Sequence, residues 1–243
     1  MISKVGINIL ATVICCMLSL SSKAQIVTKG KITYERRTNL YKQFDDDRMK
    51  KFIKEENKIK VDKFSLIFND SISNYAYIAP DEEDQMAWAT WKNSVYTNLN
   101  QGTRSVFMDM FGTSLTMKDS VVNRDWIITS GTRKIAGYEC TRAIWQKNDT
   151  TRIYAWYTTD IVPTLGPESV QGLPGAILGL ATENGGIVYF ASKVEIIDPT
   201  EAELAEPKKK GKEYTYKELY DEMVEKLEGQ PFGARVLEGM FFW

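Results

Sequence analysis

From residue 31 to 197 the chain repeats one signal: short runs of alternating apolar and polar positions, each closed by Gly, Asn, Asp or Pro. Residues 31–38 read as a first strand, rich in β-formers. Residues 64–68 and 72–78, joined by Asn69-Asp70-Ser71, predict a hairpin. A second is predicted where residues 94–99 and 103–108 flank Asn100-Gln101-Gly102, a three-residue loop ending in Gly. Residues 113–117 and 126–129 continue the pattern. Then residues 138–146 and 151–158 turn at Asn148-Asp149, and residues 176–183 and 187–197 turn at Asn184-Gly185-Gly186. In that last strand the alternation sets Val188, Phe190, Val194 and Ile196 on one face and Lys193 and Glu195 on the other. Strands recurring this often, with turns between them and no long helical pattern, argue for an antiparallel sheet rather than βαβ units.

The pattern breaks in three places. Residues 44–61 begin with Asp45-Asp46-Asp47 and continue with Arg48, Lys50, Lys51 and Lys54, a charge order that suits a helix dipole. They read as a solvated helix or loop, with Met49, Phe52 and Ile53 as a narrow apolar stripe. The acidic triplet lacks the spaced ligands, glycine turn and terminal Glu of an EF-hand loop. Pro80 and the acids 81–84 end a strand, and Met86, Trp88 and Trp91 follow as a short helix or flap over an apolar surface. Past residue 200, Lys208-Lys209-Lys210 marks a charged linker. Thr215 and Glu218 have the spacing of a capping box, opening a helix striped by Leu219, Tyr220, Met223 and Leu227. Met240-Phe241-Phe242-Trp243 is apolar enough to dock on the core.

The architecture predicted is mainly β: a single curved antiparallel sheet, open and half-barrel-like, with a C-terminal helix packed against it. Residues 1–24 read as a cleaved signal peptide, 25–200 as the antiparallel domain, 201–213 as the linker, and 214–243 as the helix and apolar tail. The signal reading rests on Lys4, the apolar run 5–20, and small residues at Ser22 and Ala24 before Gln25. That run is shorter than the ~20 apolar residues a membrane-crossing helix needs. The expected address is therefore export to the periplasm or the outer-membrane periphery, with at most peripheral membrane association.

Composition removes several chemistries. There is no histidine, which excludes a Ser-His-Asp or Cys-His pair, His-based zinc sites and haem ligation by His. Of three cysteines only Cys140 lies past residue 24, so the exported chain forms no internal disulfide, and Cys140 reads as a small buried hydrophobe. The formal net charge of −1 leaves no footprint for nucleic acid. No cofactor and no metal-ligating cluster is expected.

The densest Gly and Pro usage falls in residues 160–186, at Gly166-Pro167 and Gly172-Leu173-Pro174-Gly175. Pro174 fixes φ, while Gly172 and Gly175 permit a sharp turn into the strand at Ala176, driving Leu173 inward as a plug. Together with Trp126-Ile127-Ile128, Ile135-Ala136-Gly137-Tyr138-Glu139-Cys140 and Ala155-Trp156-Tyr157-Thr158, these residues resemble the GLPGLI family of exported Bacteroidota proteins. The chain departs from the name motif, reading Gly-Leu-Pro-Gly-Ala-Ile at 172–177. The likeness is strongest over 126–197, and the resemblance implies no reaction and no catalytic residues.

Two readings of the corner stand: a turn needed for the fold, or a backbone-lined contact at Gly172, Leu173, Pro174 and Gly175 beside Trp156 and Tyr157. The function expected first is non-catalytic binding of an apolar ligand, a lipid or peptide, in the concave sheet face. The alternative is an accessory module that docks on an outer-membrane transporter or another envelope protein, with Trp88 and Trp91 as contacts. A further alternative is a carboxylate-based hydrolase. Against it, the Asp and Glu that can be placed read as sitting in turns or charge runs, with Glu139 and Glu195 as mild exceptions on exposed strand faces.

Overall fold

The computed structural model describes residues 26–44, 47–110, 112–208 and 211–243. Residues 1–25, on which the signal-peptide reading rests, lie outside them, as do Asp45 and Asp46. Among the described residues twelve strands form one open sheet in the order β12-β6-β5-β4-β3-β2-β1-β11-β10-β9-β8-β7. The strands are β1 Gly30–Asn39, β2 Ile59–Phe68, β3 Ile72–Ile78, β4 Ser94–Asn98, β5 Thr103–Met110, β6 Thr113–Ser120, β7 Ile127–Ile135, β8 Tyr138–Asn148, β9 Thr151–Thr158, β10 Ala176–Thr182, β11 Ile187–Glu195 and β12 Lys212–Tyr214. Sequential hairpins build both wings, and β1 joins them by pairing with β2 on one side and β11 on the other. All pairs are antiparallel except β12 on β6. The sheet is curved and mainly antiparallel, as its alternation predicts.

One face of this sheet carries the core. In register across it run Met117, Val106, Val95, Tyr75, Leu66 and Ile32. Beside them Phe64 stacks on Tyr75 with ring centroids 4.9 Å apart. Past β1 the same face continues through Tyr189, Leu180, Ala155 and Ala143. Residues 159–175 lie over it, burying Ile161, Leu165, Val170 and Leu173. The helices α4 Tyr216–Leu227 and α5 Gly233–Met240 add Leu219, Met223, Leu227 and Met240 to this core. In α4 the capping box is complete: Thr215 and Glu218 satisfy each other's backbone N–H groups. Tyr220, counted with the apolar stripe, is instead exposed and stacks on Tyr216.

Three shorter helices are α1 Leu40–Gln43, α2 Asp47–Phe52 and α3 Glu201–Leu204. The charged segment 44–61 is thus helical in part. Its apolar stripe is not continuous, because Ile53 is buried with Leu40, Phe44 and Ala89 while Phe52 is 76% exposed. The stretch 201–213, charged as the sequence predicts, contains α3, capped by Thr200, and the start of β12.

One strand departs from its predicted phase. Tyr189 and Ala191 are the buried residues of β11, and Val188 and Phe190 lie on the other face. A bulge opposite Thr33 and Tyr34 inserts Ser192, whose hydroxyl donates to the Thr33 carbonyl at 3.2 Å. One extra residue reverses the inward phase, so Val194 returns to the core.

Candidate functional site

Between the core face and the segment 231–243 lies a cavity of about 820 Å³. Its apolar wall comes from Val95, Val106 and Met117 on the sheet and Met240, Phe241 and Trp243 opposite. Its floor is polar, and the polarity comes from strand positions that alternation alone assigns to the core. On β1 the inward series is Ile32, Tyr34, Arg36 and Thr38; on β2 it is Lys60, Asp62, Phe64, Leu66 and Phe68. Arg36 and Asp62 are register partners and point the same way.

The Arg36 guanidinium donates to Asp62 Oδ2 at 2.8 Å and to the Trp91 carbonyl at 2.5 Å, and lies 4.8 Å over the Phe64 ring. Lys60 donates to the other Asp62 oxygen at 3.0 Å and to Asp84 at 2.6 Å, and the Thr90 hydroxyl donates to Asp62 at 2.8 Å. Burial pushes the Asp62 carboxyl up, but Arg36, Lys60 and Thr90 outweigh it and hold it below the ordinary carboxylate range. The acids 81–84 are therefore not all solvated, since Asp84 closes this network.

A second buried carboxylate comes from the overlying segment. Glu168 sits in a short 3-10 turn, Pro167–Ser169, at φ 55°, which aims its side chain at the sheet. It accepts from the Tyr189 hydroxyl at 3.0 Å and lies 3.8 Å from Arg36. Burial raises its pKa despite these partners. Asp62 and Glu168 correct the expectation that the acids fall in solvated turns and charge runs. The signal for Asp62 was the alternation of β2, continued two positions back from Phe64; the turn at Glu168 left none.

The residues singled out from the sequence are scattered. Trp91 lines the cavity. Trp88 is three residues away but not on a shared helical face, because the 3-10 turn Ala87–Ala89 ends between them; it is half exposed and packs edge-on against Phe44. Tyr157 and Leu173 are buried in one cluster with Tyr189, so Leu173 is indeed driven inward. Trp156, the residue before Tyr157 on β9, faces the opposite side of the sheet under the Arg133 guanidinium. Pro174 is exposed, and the Gly175 N–H donates to the Leu173 carbonyl at 2.8 Å, closing a three-residue turn into β10. Gly172 and Gly175 take φ of 102° and 133° there.

Cys140 is buried, and burial pushes its thiol up to about 11, a poor nucleophile. Among the described residues no three His, Cys, Asp or Glu side chains are grouped to hold a metal, and no helix is long and apolar enough to cross a membrane.

Comparison with known proteins places this architecture. Two solved structures of PNGF-II superpose with TM-scores of 0.56 and 0.55, each at 19% identity and over 80% of this chain. The chain spans about a third of their length, 33% and 32%. An uncharacterised conserved protein from Thermus thermophilus aligns over 84% of this chain and 99% of its own, at 8% identity and a TM-score of 0.41. No curated protein matches the sequence. The family model described as N-glycanase peptide, N-terminal domain, matches residues 32–218. That range takes in β1 from Ile32, every later strand and the capped start of α4, and the chain belongs to this family.

Proposed function

We propose that this protein is an exported, non-catalytic binding module of the cell envelope, holding an apolar or amphipathic small molecule in the cavity between its sheet and residues 231–243. The observation that carries the reading is the cavity itself. Its volume falls in the range of roughly 300–1,000 Å³ typical of small-molecule sites, and it has an apolar wall with a few fixed polar groups at one end. The family is named for an N-glycanase's N-terminal domain; the proposal gives this chain a binding role and no share in bond cleavage. The signal-peptide reading of residues 1–24 and the GLPGLI likeness of residues 126–197 belong to the same proposal, and both fit a periplasmic address.

Protein purified from its native envelope is extracted with organic solvent and the extract analysed by mass spectrometry. An amphipathic compound in near-stoichiometric amount is expected, and Val106→Trp, which fills the cavity, depletes it. An empty extract from both proteins removes the reading.

Docking on another envelope protein has its own support in β7, an edge strand whose Ile127 and Ile128 are 65% and 54% exposed. An unpaired apolar edge is a template for an added strand.

A further inference from the structure

The two arginines on the cavity floor are not equivalent. Arg36 is matched by Asp62 and Glu168. Arg104 on β5 is as deeply buried, 5% exposed, yet among the described residues its side chain donates to a neutral group, the Ser169 hydroxyl at 2.9 Å. Among the described residues its Nε is buried without a partner, as is that of Arg36, but unlike Arg36, Arg104 has no carboxylate within ion-pair distance. The acid opposite it in register, Asp119 on β6, is the foremost counter-charge it feels, but it lies beyond ion-pair distance and accepts from the backbone N–H of Tyr216 where α4 begins. Glu168 is near enough to be felt but shares its charge with Arg36 and Tyr189.

Burying a guanidinium without an anion is costly, and such a group offers five donors in a planar fork suited to carboxylate or phosphate. Charge around the cavity leans the same way: Arg36, Lys42, Arg104 and Arg235 against Glu168 and Glu238. The apolar strip starts beside the unpaired group. Val106 is two residues along β5 on the same face, and its register partners are Val95 and Met117.

We infer that the cavity's ligand is an amphipathic anion, its carboxylate or phosphate docked on Arg104 and its apolar body laid along Val95, Val106 and Met117. This deepens the binding reading above and rests on it. Glu168 lines the cavity beside the proposed anion, so a monoanion fits better than a multiply charged group, which its carboxyl group would oppose more strongly.

The test compares three probes of equal chain length on the intact protein, decanoate, decyl phosphate and decanol, by titration calorimetry. At least one anion should bind about tenfold or more tightly than the alcohol, the margin of one charge-assisted hydrogen-bond pair. Arg104→Gln should erase that margin, bringing the anions down to the affinity decanol shows for the same variant, while Arg104→Lys keeps part of it. The stronger of the two anions tells a carboxylate ligand from a phosphate one. Equal affinities for acid and alcohol in the unmodified protein, a comparison that needs no variant, overturn the inference while sparing the cavity. Survival of the margin in Arg104→Gln also overturns it. If none of the three binds, the binding reading falls with it.

Discussion

Gly175 lies so close beneath the Thr158 carbonyl that a β-carbon built on it would overlap the oxygen, and its φ of 133° is one that L side chains rarely adopt. The turn into β10 thus depends on a missing side chain for two separate reasons, and the adjacent N–H of Ala176 is held by the Ile161 carbonyl at 3.0 Å, which limits relaxation.

Gly175→Ala should therefore destabilise the protein by roughly 2–4 kcal/mol, combining backbone strain with overpacking. Gly172→Ala is the control. Its φ is also positive, but its nearest neighbour, the Trp126 indole, is 3.5 Å from a built β-carbon, so about 1–2 kcal/mol of strain alone is expected. Urea midpoints compare the two. Equal losses would mean that the Thr158 contact is unimportant and that the corner depends only on dihedral freedom.

Asp62 and Glu168 should respond to pH in opposite directions. Asp62 holds its proton less tightly folded than unfolded. Its ionised form therefore contributes stability above its unfolded pKa of about 3.9, and that contribution is lost as pH falls through the lower folded value. Glu168 holds its proton more tightly folded. Its contribution is complete below about 4.3 and is lost as pH rises through the folded value. Asp62→Asn should cost about 3–5 kcal/mol near pH 7, because Arg36 and Lys60 lose their buried counter-ion, and less in acid. Glu168→Gln should cost more in acid than near neutrality. Denaturant midpoints of the two variants between about pH 3 and pH 7 decide it; penalties that move in the same direction contradict the assignment.

Much of this architecture was legible because alternation is a direct consequence of a half-buried sheet. The run Phe64, Leu66, Phe68 predicts the β2–β3 hairpin and the core face together. What misled was taking polarity as a sign of exposure. Extending the same parity back to Asp62 and Lys60 puts both inside and sends Ile59 and Val61 out, each 46% exposed. Arg36 and Arg104 follow the same rule. Reading Trp156 and Tyr157 together beside one contact overlooks that adjacent strand residues point to opposite faces. Other features had no local signal. The Ser192 bulge is set by pairing with β1, and the Glu168 turn by packing on Tyr189.

Residues 231–243 cover the cavity through contacts that the strands do not need. Trp243 packs edge-on against Tyr189 at 5.8 Å, and Phe241 against Tyr216 and Tyr220 at 5.2 and 5.3 Å. Lys147, its pKa brought down to about 8 by burial, stands 3.7 Å over the Phe242 ring and donates to that residue's carbonyl. Every strand pair is made by residues before 215, and the family match ends at residue 218, short of this segment. Removing residues 231–243 should leave the far-ultraviolet β signal intact and lower stability by about 2–4 kcal/mol, since three aromatic contacts contribute roughly 0.5–1.5 kcal/mol each beyond area burial. It should also raise binding of an apolar fluorescent dye several-fold by uncovering Val95, Val106 and Tyr189, as newly exposed apolar surface does. Trp243→Ala should move both quantities part of the way. Unchanged dye binding in the shortened protein would show that the segment is not the cover of this cavity; a lost β signal would show that the sheet does depend on it.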